Sequence, residues 1–208
     1  MDNHIFDVWA NGYDEDVDIT DNKDEYPFAG YKKIMQEIYD AIPKDTTSAI
    51  LDIGIGTGTL SSQLYARGNK ITGVDFSQKM LDEAKKKMPN AKLISFDFTK
   101  GLPCEITKEK FDFIISTYAL HHLRDDEKIK FIRLLLEHID NGCIIVGDVS
   151  FQSRHDLEKC KLCCGEYWDD DEFYFVFSEI KDALGEVCSL IYRQISHCGG
   201  IMEIRKQG

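Results

Sequence analysis

Residues Ala49 to Gly58 read Ala-Ile-Leu-Asp-Ile-Gly-Ile-Gly-Thr-Gly, an apolar strand running into alternate glycines and then, from about Thr59, into a helix. Gly54, Gly56 and Gly58 let the backbone turn sharply and approach a ligand where a Cβ would clash, while the helix start presents unpaired N–H groups. Dinucleotide sites place a third glycine three residues after the second, against a pyrophosphate. Here that position is Thr59, and the glycine arrives one residue early. Asp52, two residues before the first glycine, would repel a pyrophosphate but pair with an ammonium group. The chemistry suggested is a nucleoside cofactor that has positive charge and no phosphate, which describes S-adenosylmethionine.

Two further acids stand where an adenosine needs them. The run Lys70 to Asp75 reads as a second strand ending in a carboxylate able to accept both ribose hydroxyls. A third strand near 91–95 leads to Asp97 and Phe98; Asp97 is the candidate for the adenine amine, with Phe98 or Met80 covering a ring face.

These segments, with Ser116-Thr117-Tyr118-Ala119-Leu120-His121-His122-Leu123 after the fourth strand, resemble the class I S-adenosylmethionine-dependent methyltransferases. More narrowly the chain is similar to the small bacterial YrrT-like branch, from the Phe6 to Asp14 stretch through Gly199-Gly200-Ile201-Met202-Glu203. The resemblance implies cofactor binding through Gly54, Asp75 and Asp97, with Phe76 and Ser116 in the matched segments beside it. It also implies a Rossmann-like α/β fold: a seven-stranded, mostly parallel sheet with an antiparallel C-terminal hairpin strand and helices on both faces. The expected reaction is in-line methyl transfer to a small-molecule acceptor, leaving S-adenosylhomocysteine. A site of this kind aligns the acceptor, excludes water and removes a proton where there is one.

His121 and His122 are the candidates for proton handling, because they follow the fourth strand at the carboxyl edge of the sheet, and adjacent side chains point in different directions. Tyr13 is a candidate lid residue over the methionine end, within a segment spanning Phe6 to Tyr31. Tyr26, Phe28, Tyr167, Trp168, Phe173 and Tyr174 fall in regions that roof the acceptor side. Cys160, Cys163 and Cys164 share a helical face and read as core thiols, so no metal site is expected. A non-catalytic sensor of the same cofactor remains compatible with these residues. A nicotinamide-dependent oxidoreductase is disfavoured by Asp52 and the displaced glycine.

Composition sets the outer bounds. A chain of 208 residues, 43% hydrophobic, supports one core, and no apolar run approaches the ~18–20 residues that span a bilayer. The formal charge of −12 works against nucleic acid as a partner, since such binding draws its affinity from Lys and Arg. The acidic runs Asp14 to Asp18 and Asp169 to Glu172 read as solvated loops, the alternative being attraction of a cationic substrate. The start Met1-Asp2-Asn3-His4 lacks a signal-peptide layout, so a cytoplasmic monomer or homodimer with thiol cysteines is expected.

The elements that must position these groups alternate. Helical periodicity marks a cover helix at 29–42 ended by Pro43, and helices at about 59–67, 77–88 and 125–139. Strands fall at about 48–53, 70–74, 91–95, 111–116 and 142–149, an alternation that implies a parallel sheet. Ser77 is the expected N-cap of the 77–88 helix. Beyond Val149 come a helix over 154–164, an aromatic-rich link, a helix near 178–184, and an antiparallel hairpin from 187–196 and 200–205 at the sheet edge. One domain is expected over 1–208, with a cover at 1–45, a cofactor core at 46–150 and a substrate-side insertion plus hairpin at 151–208.

Overall fold

A computed structural model of the chain describes Asp21 and residues 25–207. Five parallel strands form its centre: β1 (Ala49–Ile53), β2 (Lys70–Asp75), β3 (Lys92–Ser95), β4 (Phe111–Thr117) and β5 (Ile139–Phe151). A two-residue β6 (Phe175–Val176) pairs with the end of β5, and β7 (Cys188–Gln194) and β8 (Gly199–Lys206) complete the sheet. The order is β3-β2-β1-β4-β5-β8-β7, with β8 antiparallel to both β5 and β7. The C-terminal hairpin is therefore present, but β8 lies inside the sheet and β7 forms the edge. A β8 placed against β5 gains a second ladder, so both its backbone edges are paired.

The helices are α1 (Tyr31–Ala41), α2 (Thr59–Ala66), α3 (Gln78–Lys87), α4 (Asp125–Leu136), α5 (Arg154–Cys164) and α6 (Phe177–Leu184). Neighbouring residues of the central strands divide between two apolar layers. Ile50, Ile115 and Ile145 join Ile34, Ile38 and Ile42 on one face; Leu51, Ile114 and Ile144 join Phe131, Ile132 and Ile180 on the other. Because successive Cβ atoms alternate across a strand, a sheet covered on both sides needs such continuous apolar runs. Ile34, Ile38 and Ile42 are fully buried, each worth about 1.5–3 kcal/mol of gross hydrophobic stabilisation. That burial holds α1 over the sheet.

Ser77 caps α3 as expected, accepting from the Met80 amide at 3.3 Å. Two boundaries differ from the periodicity. Helix α4 stops at Leu136, because Ile139 is already paired with Phe111, with a register shift before Phe113. The aromatic-rich link conceals β6, which is too short to show an alternating pattern. Among the described residues no helix is long and apolar enough to cross a membrane.

Strand order reverses between β1, which continues outward to β2 and β3, and β4, which starts the opposite half. Ligands of open α/β sheets bind at the carboxyl ends on either side of such a reversal. The glycine loop follows β1 at that point.

Candidate active site

A cleft opens there, walled by Asp52, Gly54 and Gly56 after β1, Asp75 and Phe76 after β2, Phe98 after β3, and Thr117, Tyr118, Ala119 and His122 after β4. Gly54 has φ +72°, and a Cβ on it would stand 2.3 Å from the Ala119 Cβ, so only glycine lets β1 and the turn after β4 meet. Gly56 has φ +54°, and a Cβ there would meet nothing within 4 Å. Its bare backbone faces open cleft.

Asp75 fastens this loop. Its Oδ2 accepts from the Gly56 amide at 2.8 Å and its Oδ1 from the Ser77 amide at 2.9 Å. Burial pushes its pKa up, against those amide bonds. Asp52 is more exposed to that effect. Its Oδ2 accepts from Ser61 Oγ at 2.6 Å, while Oδ1 is buried with no hydrogen-bond partner among the described residues. Burial, opposed by the Ser61 bond and reinforced by the Asp75 charge, pushes Asp52 up to about 7. A buried acceptor with an unused lone pair, in the wall of a cleft, is suited to a ligand cation.

Of the other residues expected at the site, Met80 and Phe98 reach the cleft. Gly58, Asp97, Ser116 and His121 are not in its wall. Gly58 precedes α2, and a Cβ on it would press on Met88 and Ala84, so its place is in the α2–α3 contact. Ser116 is turned into the sheet, donating to the Ile53 carbonyl at 2.8 Å, because alternation points Thr117 outward instead. Asp97 caps a short turn, accepting from the Thr99 amide and hydroxyl, and pairs with Lys100. Although its partial burial acts the other way, those bonds hold its carboxyl below the usual value. Tyr13 and the 6–20 and 22–24 parts of the 6–31 lid segment lie outside the described residues.

The two histidines divide as adjacent residues on a tight turn must. His122 faces the cleft, and its Nδ1 lies 2.8 Å from Glu172 Oε2. His121 points behind it, with Nδ1 2.6 Å from Asp148 Oδ1, which also accepts from the Val149 amide. Burial opposes charge on His121, yet Asp148 and Glu172 outweigh it and raise its pKa. Burial of Glu172 is likewise outweighed by the His122 bond and the His121 charge, and its pKa is lowered. A carboxylate only accepts, so the proton between Glu172 and His122 belongs on Nδ1.

Glu172 was hidden from the sequence. It ends the acidic run 169–172, whose composition reads as a solvated loop, and tertiary bonds such as that from the Phe173 amide to the His121 carbonyl (2.8 Å) bring it inward. Tyr118 was also missed. It is the sole non-glycine residue with positive φ among the described residues (49°), a conformation that tyrosine rarely takes and that residue type alone does not signal. Above the histidines, Tyr26 stacks on Trp168 at 5.2 Å, and Tyr174 meets both edge-on. Tyr167 and Phe173 point outward from this layer. Cys163 is exposed too, contrary to the expected shared stripe, because Cys160 and Cys164 alone, with sulfurs 3.8 Å apart, face the core.

The Asp52 geometry gives a pH signature. Between about pH 4 and 7 the folded chain keeps a proton on Asp52 that the unfolded chain has released, so stability falls as pH rises through that window. Asp52→Asn removes this contribution, on the order of 3–4 kcal/mol. Urea denaturation across pH 4–7 should show the wild-type protein losing stability relative to the variant as pH rises; parallel profiles would contradict the assignment.

Comparison with known proteins agrees with this geometry. A family model described as a methyltransferase domain matches residues 50–142. An uncharacterized methyltransferase of Alkaliphilus oremlandii is 36% identical over 153 residues, covering 73% of this chain and 69% of that one. One from Oceanobacillus iheyensis is 34% identical over 155 residues, covering 72% and 68%. Among solved structures, magnesium protoporphyrin IX methyltransferase from Synechocystis with bound S-adenosylhomocysteine superposes with a TM-score of 0.69 at 21% identity, over 86% of this chain and 85% of that one. The DhpI complex with S-adenosylhomocysteine gives 0.71 at 16% identity, over 98% and 94%. The nicotinamide reading is thereby set aside: the chain belongs to the class I S-adenosylmethionine-dependent methyltransferases.

Proposed function

We propose that this methyltransferase acts on a small-molecule acceptor held beside His122, and that His122 takes the acceptor's proton. The observation carrying this reading is the His122–Glu172 pair in the wall of the cleft. Bound S-adenosylmethionine supplies an electrophilic methyl group on a sulfonium. Asp52, with its unpartnered oxygen, takes the ammonium end, and the bare Gly56 backbone lies along the ligand. Asp75 has lone pairs left for ribose hydroxyls after serving Gly56 and Ser77. Phe98 and Met80 cover the adenine.

Tyr118, braced by Phe28 at 5.3 Å and Tyr31 at 5.2 Å, excludes water from the reacting side. Glu172, bonded to His122 Nδ1, fixes the tautomer in which Nε2 receives a proton. The charge of −12 supports a small acceptor over nucleic acid. The seven thiol cysteines support a cytoplasmic setting.

Turnover with methyl-labelled S-adenosylmethionine against a metabolite library, scored by label transfer, tests the enzyme reading against a sensor, which would bind and transfer nothing. With an acceptor in hand, His122→Gln should lower turnover by roughly 100-fold or more while S-adenosylhomocysteine affinity stays within a few-fold. Turnover at the wild-type rate would remove the base. Asp75→Ala should weaken S-adenosylhomocysteine by about 10- to 100-fold, as expected for a charge-assisted bond, and Asp97→Ala by much less. Equal losses in a calorimetric titration would contradict the two roles.

A further inference from the structure

We infer that His121, His122 and Glu172 form a binding site for one divalent transition-metal ion of the zinc type, on the acceptor side of the cleft. One ligand atom from each of the three lies within 4.8 Å of the other two. No other trio of His, Cys, Asp or Glu among the described residues is so arranged. Glu172 Oε2 is 2.8 Å from His122 Nδ1 and 4.0 Å from His121 Nε2. Ligands about 2.0–2.1 Å from a shared ion in tetrahedral or octahedral geometry stand roughly 3.0–3.4 Å apart. The two separations bracket that range, and side-chain adjustments of under about 1 Å bring both into it.

A hydrogen bond explains why Glu172 meets His122. It leaves unexplained why a second imidazole turns Nε2 toward the same carboxylate while Asp148 engages its Nδ1 at 2.6 Å. Histidines that ligate metals commonly donate their other N–H to a carboxylate, which fixes the tautomer and aims the lone pair. Asp148 is itself held by the Val149 amide and is fully buried. The ligands are also placed by backbone: both histidines sit on the Leu120–His122 turn, and the Phe173 amide bonds the His121 carbonyl, fastening the Glu172 loop to that turn. Lys128 secures the same loop from below by donating to the Phe173 carbonyl.

Two imidazoles and a carboxylate suit zinc and its transition-metal neighbours better than magnesium or calcium, and three protein ligands leave a position open. None of the seven cysteines contributes. Since His122 is shared with the cofactor cleft, the open position faces the acceptor, a placement that rests on the function proposed above. The acceptor class is then a thiol or hydroxyl compound that coordinates as its anion, its proton passing to solvent. The ion occupies the place of the proton between His122 and Glu172, so in the metal-loaded protein His122 ligates through Nδ1, carries its proton on Nε2 and is not the base; the ion activates the acceptor instead, and the base role proposed above belongs to the metal-free protein.

The full chain, stripped with a chelator, should be titrated with Zn2+ alone by calorimetry and with Co2+ alone by absorption. We expect one equivalent of each, with cobalt d–d bands and no thiolate-to-cobalt charge transfer. Glu172→Gln, on a part-exposed loop, and Asp148→Asn should each weaken binding by about 10- to 100-fold, with S-adenosylhomocysteine affinity unchanged as the check on folding. Absence of a bound equivalent, a thiolate charge-transfer band, or Zn2+ affinity indifferent to Glu172→Gln would overturn the site. Loss of S-adenosylhomocysteine binding in the wild-type protein would instead count against the cofactor assignment and leave the metal titration interpretable.

Discussion

Asp52 and Asp75 are buried side by side at the ends of two adjacent parallel strands, and Asp52 is only partly compensated from within the chain. Ser61 gives Asp52 one bond, Gly56 and Ser77 give Asp75 two, and one Asp52 oxygen has no partner among the described residues. Burying a carboxylate without a full set of donors is costly and is tolerated where a ligand completes the set. The surrounding structure follows from this constraint. The glycine loop has to bend closely enough for the Gly56 amide to reach Asp75, α2 has to bring Ser61 beneath Asp52, and α1 has to shield the pair from water.

The histidine side of the cleft obeys the same logic with different groups. Two histidines on one turn are each oriented by a carboxylate, one deep and one on a loop drawn in by a backbone bond. The arrangement separates the tasks of adjacent residues: His122 meets the cleft and His121 braces it. The aromatic layer of Tyr26, Trp168 and Tyr174 excludes water above them. In that drier setting the interactions among imidazole, carboxylate and any bound cation are strengthened.

The glycine-loop half of the cleft was readable from residue types, because its constraints are local. A strand ending in an acid and a loop needing φ above zero both leave a mark in the sequence, and Asp52, Gly54, Gly56 and Asp75 meet as read. Ser116 was misplaced by one position, since strand alternation sends Thr117 outward. Glu172 was not readable at all: its role depends on a loop joined to the turn at residues 120–122 by tertiary bonds, and an acidic run has the same composition whether it is solvated or docked. Strand β8 shows the same limit. Its period is plain in the sequence, but its insertion between β5 and β7 is decided by pairing across long separations.

The central claim is that a buried, half-satisfied Asp52 awaits the ammonium end of the cofactor. Calorimetry of S-adenosylhomocysteine binding at pH 7, in buffers of differing ionisation enthalpy, reports the protons exchanged. With Asp52 raised to about 7, a cation placed beside it should drive off roughly half a proton, and Asp52→Asn should lack that release. Heats with the same buffer dependence in both proteins would contradict the claim.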